Sequence, residues 1–408
     1  MKLIGPFQQL VTLKGLVLKG AIKDDELEVI EYGGILVDDE VIVQVGPWAE
    51  LKSGDFDELE EITSPMVALP GLIDSHTHIC FGGTRERDYA MRIAGKSYLE
   101  IAKAGGGIWD TVTHTRAASA NDLLEGMLQR ISRQILYGIT TCEVKSGYGL
   151  SVEEELKMLR TIQKAQQSTP IELVATCLAA HTKPRDFPGT NQEYLTLMLS
   201  DLLPTVKAES LAQRIDIFTE EGAFTVAESQ PYLETAKSMG FDLTIHGDQF
   251  SSCGSELGVN VGVRSVDHLE ASTEKDILRL AKSDVIGTAL PGASLGLGCP
   301  FTPARQLLDQ GGCLAIASDW NPGSAPMGDL LTQAAILSTM EKLSTAETFA
   351  GLTFRAAAAL GLTDRGQLTP GKMGDLVAFP TSDYRDILYY QGQMKPVGTW
   401  KNGTRIHG

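Results

Sequence analysis

The hydrophobic pattern of the chain changes character near residue 66 and again near residue 365. Over the first sixty or so residues apolar and polar positions alternate in short runs, Gln9–Leu18, Glu26–Val37, and Val41–Val45 before Gly46-Pro47. Successive side chains on a strand point to opposite faces, so this alternation, punctuated by Gly, Asp and Pro, predicts half-buried strands joined by turns. From Val67 onward short continuous apolar runs take over: Leu72–His78, Ile139–Val144, Ile171–Ala179, Ile215–Thr219, Leu243–His246, Ser265–His268, Val285–Ala289 and Leu314–Ser318. Such runs read as strands buried on both faces. Between them lie segments of helical period, such as Asn121–Tyr137, Val152–Gln166 and Thr225–Met239, with capping residues or a glycine stop. Eight β/α units over about 250 residues is the arithmetic of a (β/α)8 barrel.

Beyond helical segments from Met327 to Leu360, β character returns. Gly371-Lys372-Met373-Gly374-Asp375-Leu376-Val377-Ala378-Phe379 reads as a tight turn into a strand, and Val397 to Ile406 as a hairpin tipped by Asn402-Gly403. Because β segments flank the barrel pattern on both sides, they are expected to pair with each other. The fold expected is therefore α/β, a (β/α)8 TIM-like barrel over 67–364 with a small β-sandwich built from both termini, 1–66 plus 365–408.

Composition narrows the class. The 408 residues are 43% hydrophobic and 21% charged, an ordinary globular balance that argues against disorder. A formal net charge of -17, with no local cluster of Lys and Arg, argues against a nucleic-acid or anionic-membrane partner. No stretch approaches the ~20 apolar residues of a membrane span, and Met1 to Leu10 lacks the basic-then-apolar signature of a secretory signal. The six cysteines, Cys80, Cys142, Cys177, Cys253, Cys299 and Cys313, show no CxxC spacing. The expectation is a reduced, cytoplasmic protein.

Candidate chemistry starts where Pro70-Gly71-Leu72-Ile73 runs into Asp74-Ser75-His76-Thr77-His78. Residues two apart on a strand share a face, so the two imidazoles converge and offer half of a divalent-metal site. A satisfied pair of core histidines gives the same string. The loop that follows, Phe81-Gly82-Gly83-Thr84-Arg85-Glu86-Arg87, favours a site. Of seven histidines, five lie at or just past the end of a barrel strand: His76, His78, His181, His246 and His268. His114 falls in a loop or helix start and His407 is terminal. Asp319 ends the last strand in the same way, in Ala315-Ile316-Ala317-Ser318-Asp319. Barrel chemistry gathers at the C-terminal ends of strands, and structural histidines would show no such preference.

This arrangement, His76/His78 on strand one, His246 on strand five, His268 on strand six and Asp319 on strand eight, resembles the amidohydrolase superfamily. Its members are metal-dependent hydrolases on a (β/α)8 barrel, commonly with a β-sandwich from both chain ends. The turn Pro370-Gly371-Lys372-Met373-Gly374-Asp375-Leu376 is similar to theirs. Finer strings narrow the resemblance: Phe81-Gly82-Gly83-Thr84-Arg85, Ala104-Gly105-Gly106-Gly107-Ile108, Lys145-Ser146-Gly147-Tyr148-Gly149-Leu150, Ala180-His181, His246-Gly247-Asp248-Gln249 and Ser318-Asp319-Trp320-Asn321-Pro322-Gly323-Ser324. In this order they are similar to the members that open 4-imidazolone-5-propanoate to N-formimino-L-glutamate.

The resemblance implies a metal site of His76, His78, His246 and Asp319. Neutral imidazoles and one carboxylate suit one Zn2+ or Fe2+/Fe3+ with a position left for water. Many relatives bridge two metals through a lysine on strand four; here that strand ends Ile217-Phe218-Thr219-Glu220, so a single metal is expected. Lys145, past strand two, reads as an ion-pair or loop residue. The resemblance further implies Asp319 as the base for the attacking water and His268 as a hydrogen-bonding group for the water or the oxyanion. It gives Arg85 as anchor of the propanoate carboxylate, assisted by Tyr148 and His181, and Asn321, Gly323 and Ser324 as positions touching the product or the ring. Arg85 could instead form a surface salt bridge, and Tyr148 could be a core hydroxyl. Gln249 can hydrogen-bond but not shuttle a proton, which assigns it to substrate orientation. Asp248 is an alternative carboxylate only if the strand persists past His246; Asp74, Glu143 and Glu220 read as structural. Relatives are often dimers, which implies a homodimer.

Rival readings are a cytosine or guanine deaminase, or a cyclic-imide hydrolase, which share the metal set. An anchor made of Arg85, Tyr148 and His181 has no use in a purine deaminase. A non-catalytic binding protein on a degenerate barrel would have lost a ligand or the base, and none is missing.

Overall fold

The alternating N-terminal runs and the C-terminal hairpin meet, as their pattern requires, in one sheet. The computed structural model describes the backbone of residues 1–408 and all side chains except those of Tyr98, Leu99 and Ala102. The N-terminal strands are β1 (Lys2–Val11), β2 (Val29–Asp38), β3 (Val41–Pro47), β4 (Glu58–Glu61) and β5 (Val67–Pro70). Barrel strands follow as β6 (Leu72–Asp74), β7 (Ile139–Lys145), β8 (Glu172–Ala180), β9 (Arg214–Thr219), β10 (Asp242–Gly247), β11 (Ser265–His268), β12 (Ile286–Ala289) and β13 (Leu314–Ile316). The tail adds β14 (Leu376–Phe379), β15 (Gly398–Lys401) and β16 (Thr404–His407).

Both termini build a mixed sheet in the order β16-β15-β14-β5-β1-β2-β3, with β4 on β1. Its side chains enclose a core that includes Ile4, Phe7, Leu10, Ile35, Ile42, Leu376 and Trp400. At the tip of the last hairpin Asn402 and Gly403 both adopt left-handed backbone (φ 54° and 74°), the pairing that a two-residue turn matched to strand twist demands. Two expectations shift. The first strand starts at Lys2 rather than Gln9 and stops at Val11, because the chain turns through left-handed Leu13 and Gly15, leaving Val17 and Leu18 exposed. Residues 67–70, expected to open the barrel region, instead form β5, which pairs with β1 and β14 in the terminal sheet, and the first barrel strand, expected over Leu72–His78, is β6, Leu72–Asp74. A Cβ at Gly71 would sit 2.4 Å from the Thr140 hydroxyl, so the two sheets approach there only because the side chain is absent.

The eight barrel strands are parallel and adjacent in sequence order, from β6 to β13. Both faces are covered, which is why their sequences are nearly continuous apolar runs. The last gap, between β13 and β6, is spanned beyond the strand ends. Asp74 accepts hydrogen bonds from the Ser318 amide (2.9 Å) and hydroxyl (2.5 Å), the Asp319 amide donates to the His76 carbonyl (3.0 Å), and the His78 amide to that of Trp320 (2.9 Å). Closure therefore happens at the C-terminal mouth and sets the His76–His78 segment directly beside Asp319. No helix among the described residues is long and apolar enough to cross a membrane.

Candidate active site

His76 and His78 lie past the last residue of β6, but the segment stays extended, with a single bridge from Thr77 to Trp320, so both rings still project to one side. His246 comes from the end of β10. The Nε2 atom of His78 lies 3.2 Å from that of His76 and 3.3 Å from that of His246. Asp319 places Oδ1 3.5 Å from His76 Nε2 and 3.4 Å from His78 Nε2. All four side chains are buried.

The protonation of the rings can be read from their far sides. His76 Nδ1 donates to Asp267 Oδ2 at 2.7 Å, and His246 Nδ1 stands 2.9 Å from Asp216 Oδ2. The bond at His76 fixes its tautomer and leaves Nε2 as a bare lone pair aimed at its neighbours, and the carboxylate beside His246 Nδ1 favours the proton on that nitrogen too. Burial, the nearby Lys145 ammonium and the other imidazoles push His76 well below the usual histidine value. Burial likewise brings His246 down to about 4, outweighing the opposing pull of Asp216, with Lys145 and His78 adding smaller contributions in the same direction as burial. Three imidazoles with Nε2 atoms converging and a carboxylate alongside form the donor set of a divalent-metal site.

Asp319 has left-handed backbone (φ 51°) and is held from behind. Asn321 Nδ2 donates to its Oδ2 at 2.8 Å, and the Ser324 hydroxyl at 3.3 Å. Burial alone would raise its carboxyl; the hydrogen bond and field of His78, with His268 and His246, bring it below the usual carboxylate value. His268 ends β11 with its backbone in the left-handed region (φ 93°), a conformation costly for a residue with a Cβ and common where function constrains the chain. Its ring centroid is 5.3 Å from that of His246 and 5.9 Å from that of His76, outside the three-nitrogen cluster. Burial opposes charge on His268, but Glu270, whose Oε1 lies 3.4 Å from Nδ1, together with Asp319 and Asp267, holds its pKa above the usual value.

His78, His246, His268 and Asp319 open onto a cavity of about 760 Å³ that also receives Arg85, Tyr148, His181, Gln249, Asn321, Gly323 and Ser324. The Nε and Nη2 of Arg85 both reach Asp88 Oδ2 at 2.8 Å, and a Cβ at Gly323 would lie 2.4 Å from Nη1. Asp88 Oδ2 also accepts the Gly107 amide at 2.8 Å, while a Cβ at Gly106 would sit 2.1 Å from Oδ1. The glycine strings around 106 and 323 thus leave room for one buried arginine–aspartate pair. The His181 Nδ1 donates to the Gly147 carbonyl at 3.0 Å, turning Nε2 away from that loop, and its ring stacks 5.5 Å from His78. Tyr148 lies 5.5 Å from His181, and burial pushes its phenol well above the usual value, so it stays protonated. Asn321 turns its Oδ1 to the Gly323 and Ser324 amides, both 2.8 Å, so this residue ties its loop together as well as gripping Asp319.

Other carboxylates are committed elsewhere. Asp248 turns left-handed (φ 55°) and accepts the amides of Cys253, Gly254 and Ser255 at the start of helix Gly254–Val261, which removes it as an alternative base. Glu220 holds the Phe250 amide at 2.8 Å and the Ser251 amide at 3.2 Å. Lys145 is an ion-pair residue, as its position suggested. His114 sits late in helix Ile108–Ala117 rather than at a helix start, half exposed and outside the cavity lining.

The geometry has close counterparts among known proteins. Residues 98–407, more than half of the chain, match the Amidohydrolase family. An imidazolonepropionase of Bacillus cytotoxicus is 38% identical over 401 residues, covering 97% of this chain and 94% of the relative. One from Bacillus cereus strain G9842 is 37% identical with the same coverage. The chain belongs to the imidazolonepropionase family of amidohydrolases. Solved structures share the fold at low identity. Triazine hydrolase of Arthrobacter aurescens aligns with a TM-score of 0.76 at 16% identity, over 100% of this chain and 94% of the other. A zinc-bound adenosine deaminase of Xanthomonas campestris aligns with 0.74 at 18%, over 100% and 92%.

Set against the imidazolonepropionase family strings, the structure adds residues that sequence reasoning passed over. Asp216 and Asp267 support the histidines, Asp88 holds Arg85, and Glu270 faces His268. A signal existed for the first two: an aspartate inside an apolar strand run needs a buried partner. Asp88 stood three residues from Arg85, one helical turn away, a spacing that pairs side chains.

Proposed function

We propose that the protein hydrolyses the ring of 4-imidazolone-5-propanoate to N-formimino-L-glutamate in histidine degradation, using one divalent metal, Zn2+ or iron, held by His76, His78, His246 and Asp319. Such an ion, when bound, lowers the pKa of its water toward neutrality and polarises the ring carbonyl. The observation that carries the reading is the convergence of three imidazoles and Asp319 at the wall of the cavity that Arg85 also lines.

Asp319 takes a proton from the attacking water as oxygen adds to the carbonyl carbon, and returns it to the ring nitrogen when the carbon–nitrogen bond breaks. Asn321 and Ser324 keep its second oxygen fixed during both transfers. His268, whose Nδ1 faces Glu270, donates to the oxygen on which negative charge develops. The Arg85 edge not occupied by Asp88 binds the propanoate carboxylate, with Tyr148 and the Nε2 face of His181 completing the anchor. Gln249 orients the ring. A small-molecule substrate, a homodimeric assembly and a cytoplasmic location complete the reading.

The test is product identity. Incubation with 4-imidazolone-5-propanoate should yield N-formimino-L-glutamate mole for mole, without free ammonia. Release of ammonia, or no consumption by metal-replete protein, would reassign the site to another amidohydrolase reaction.

A further inference from the structure

Below the histidines lies a layer of buried charge for which the proposed reaction has no use. Lys145, the last residue of β7, is fully buried, its Nζ 2.7 Å from Glu143 Oε2, 2.9 Å from Asp216 Oδ2 and 3.9 Å from Asp267 Oδ2. The oxygens facing Lys145 are the same ones that face the imidazoles: Asp216 Oδ2 stands 2.9 Å from His246 Nδ1, and Asp267 Oδ2 2.7 Å from His76 Nδ1. Asp216 additionally accepts the His246 amide through Oδ1 at 3.2 Å, and Thr244 donates to Asp267 Oδ2 at 3.2 Å. Four strands, β7, β9, β10 and β11, thus meet at one ammonium and the two carboxylates beside it. Among the described residues a second buried cation, Arg214, pairs with the layer through Glu143, Nε to Oε1 at 3.4 Å.

We infer that Lys145 is a positioning residue for the metal ligands, fixing the Asp216 and Asp267 carboxylates and, through them, the orientation and tautomer of His246 and His76. The physical need is specific. A carboxylate that turns about its last bond lets the imidazole turn with it or take the other tautomer, and then Nε2 no longer points at the ion. A buried ammonium 2.9 Å from one carboxylate and 3.9 Å from the other attracts both at once, whereas a buried carboxylate without a compensating charge carries a large desolvation cost. The contrast with His78 supports this division: carboxylate oxygens stand 2.7 and 2.9 Å from the Nδ1 atoms of His76 and His246, whereas among the described residues His78 meets a carboxylate only through Nε2, and its backbone is tied to Trp320.

The inference rests on the proposed metal reading, and one measurement separates the two. Metal-free protein is titrated with Zn2+ against a chromophoric chelator, for the wild type, Lys145→Met, Arg214→Met and the double variant Lys145→Met/Glu143→Gln. A wild type that binds no Zn2+ removes the metal reading itself. With wild-type binding present, Lys145→Met should bind Zn2+ at least about tenfold more weakly, the scale on which groups behind metal ligands act. Arg214→Met should keep wild-type affinity within about twofold even where its melting temperature falls. The double variant relieves the buried charge without restoring the ammonium, so it should stay weak, and it decides the matter if Lys145→Met does not fold. A loss below tenfold in Lys145→Met, an equal loss in Arg214→Met, or recovered affinity in the double variant would each overturn the role of Lys145.

Discussion

Two walls of the same cavity are built in opposite ways. The histidine wall hangs from strand ends: His246 from β10, His268 from β11, and His76, His78 and Asp319 where the barrel closes. The rings of His76 and His246 are backed by carboxylates from neighbouring strands. The arginine wall hangs from loops. Arg85 precedes helix Glu86–Ile93, and it is held by Asp88 on that helix and given space by Gly323. Metal ligands need their lone pairs fixed in direction, which a closed sheet supplies; a carboxylate on a flexible propanoate tail tolerates an anchor set by a loop and one ion pair.

The sharpest break of this contrast is on the histidine side. His246→Ala should lose bound metal and activity together, with turnover down by at least about 10³-fold, the upper scale for removing one electrostatic stabiliser of a transition state. Metal analysis beside the assay decides it; a full metal equivalent retained at wild-type affinity would misplace the site. On the other wall, Arg85→Ala should leave metal content intact yet cost about 2–5 kcal/mol in transition-state binding of the full substrate, as for buried charge pairs truncated at interfaces. Arg85→Lys should recover part of that, since an ammonium cannot reproduce the fork. An imidazolone lacking the propanoate should be nearly indifferent to either change; equal damage to both substrates would detach Arg85 from the carboxylate. Smaller still is Asp88→Asn, which keeps the volume but weakens the charge-assisted bonds to Arg85 and should raise KM by about 1.5–3 kcal/mol equivalent with kcat nearly unchanged. A fall in kcat with constant KM would mean that Asp88 acts on the chemistry instead. At the bottom of the scale, His114→Ala should change stability by no more than about 0.5 kcal/mol and leave activity unaltered, because the ring is half exposed and bonds only within its own helix.

The same contrast explains what the sequence disclosed. All eight barrel strands were legible because parallel strands buried on both faces leave unbroken apolar runs, and the histidines could be placed because each stands at the end of such a run. Boundaries were less legible where one pattern serves two sheets: Val67–Pro70 and Leu72–Asp74 form one apolar run but belong to different sheets, and only the close approach at Gly71 separates them. Around Leu13 the alternation continued past the point where a left-handed residue ends the strand. Supporting residues were the least visible. Asp216 and Asp267 are single aspartates in apolar strands whose partners lie 30 and 191 residues away, so the pairing exists only once the barrel has closed. Asn321 and Ser324 were read as substrate contacts from the resemblance; the structure reveals their second tie, to Asp319, through a turn that brings residues three apart together.

The central claim is that one metal on the histidine wall is what the ring opening depends on. Titrating metal-free protein with Zn2+ while following loss of 4-imidazolone-5-propanoate tests it most directly. Activity should rise in proportion to added metal and level off at one equivalent per chain. Full activity without metal, or a rise that continues to two equivalents, would contradict it.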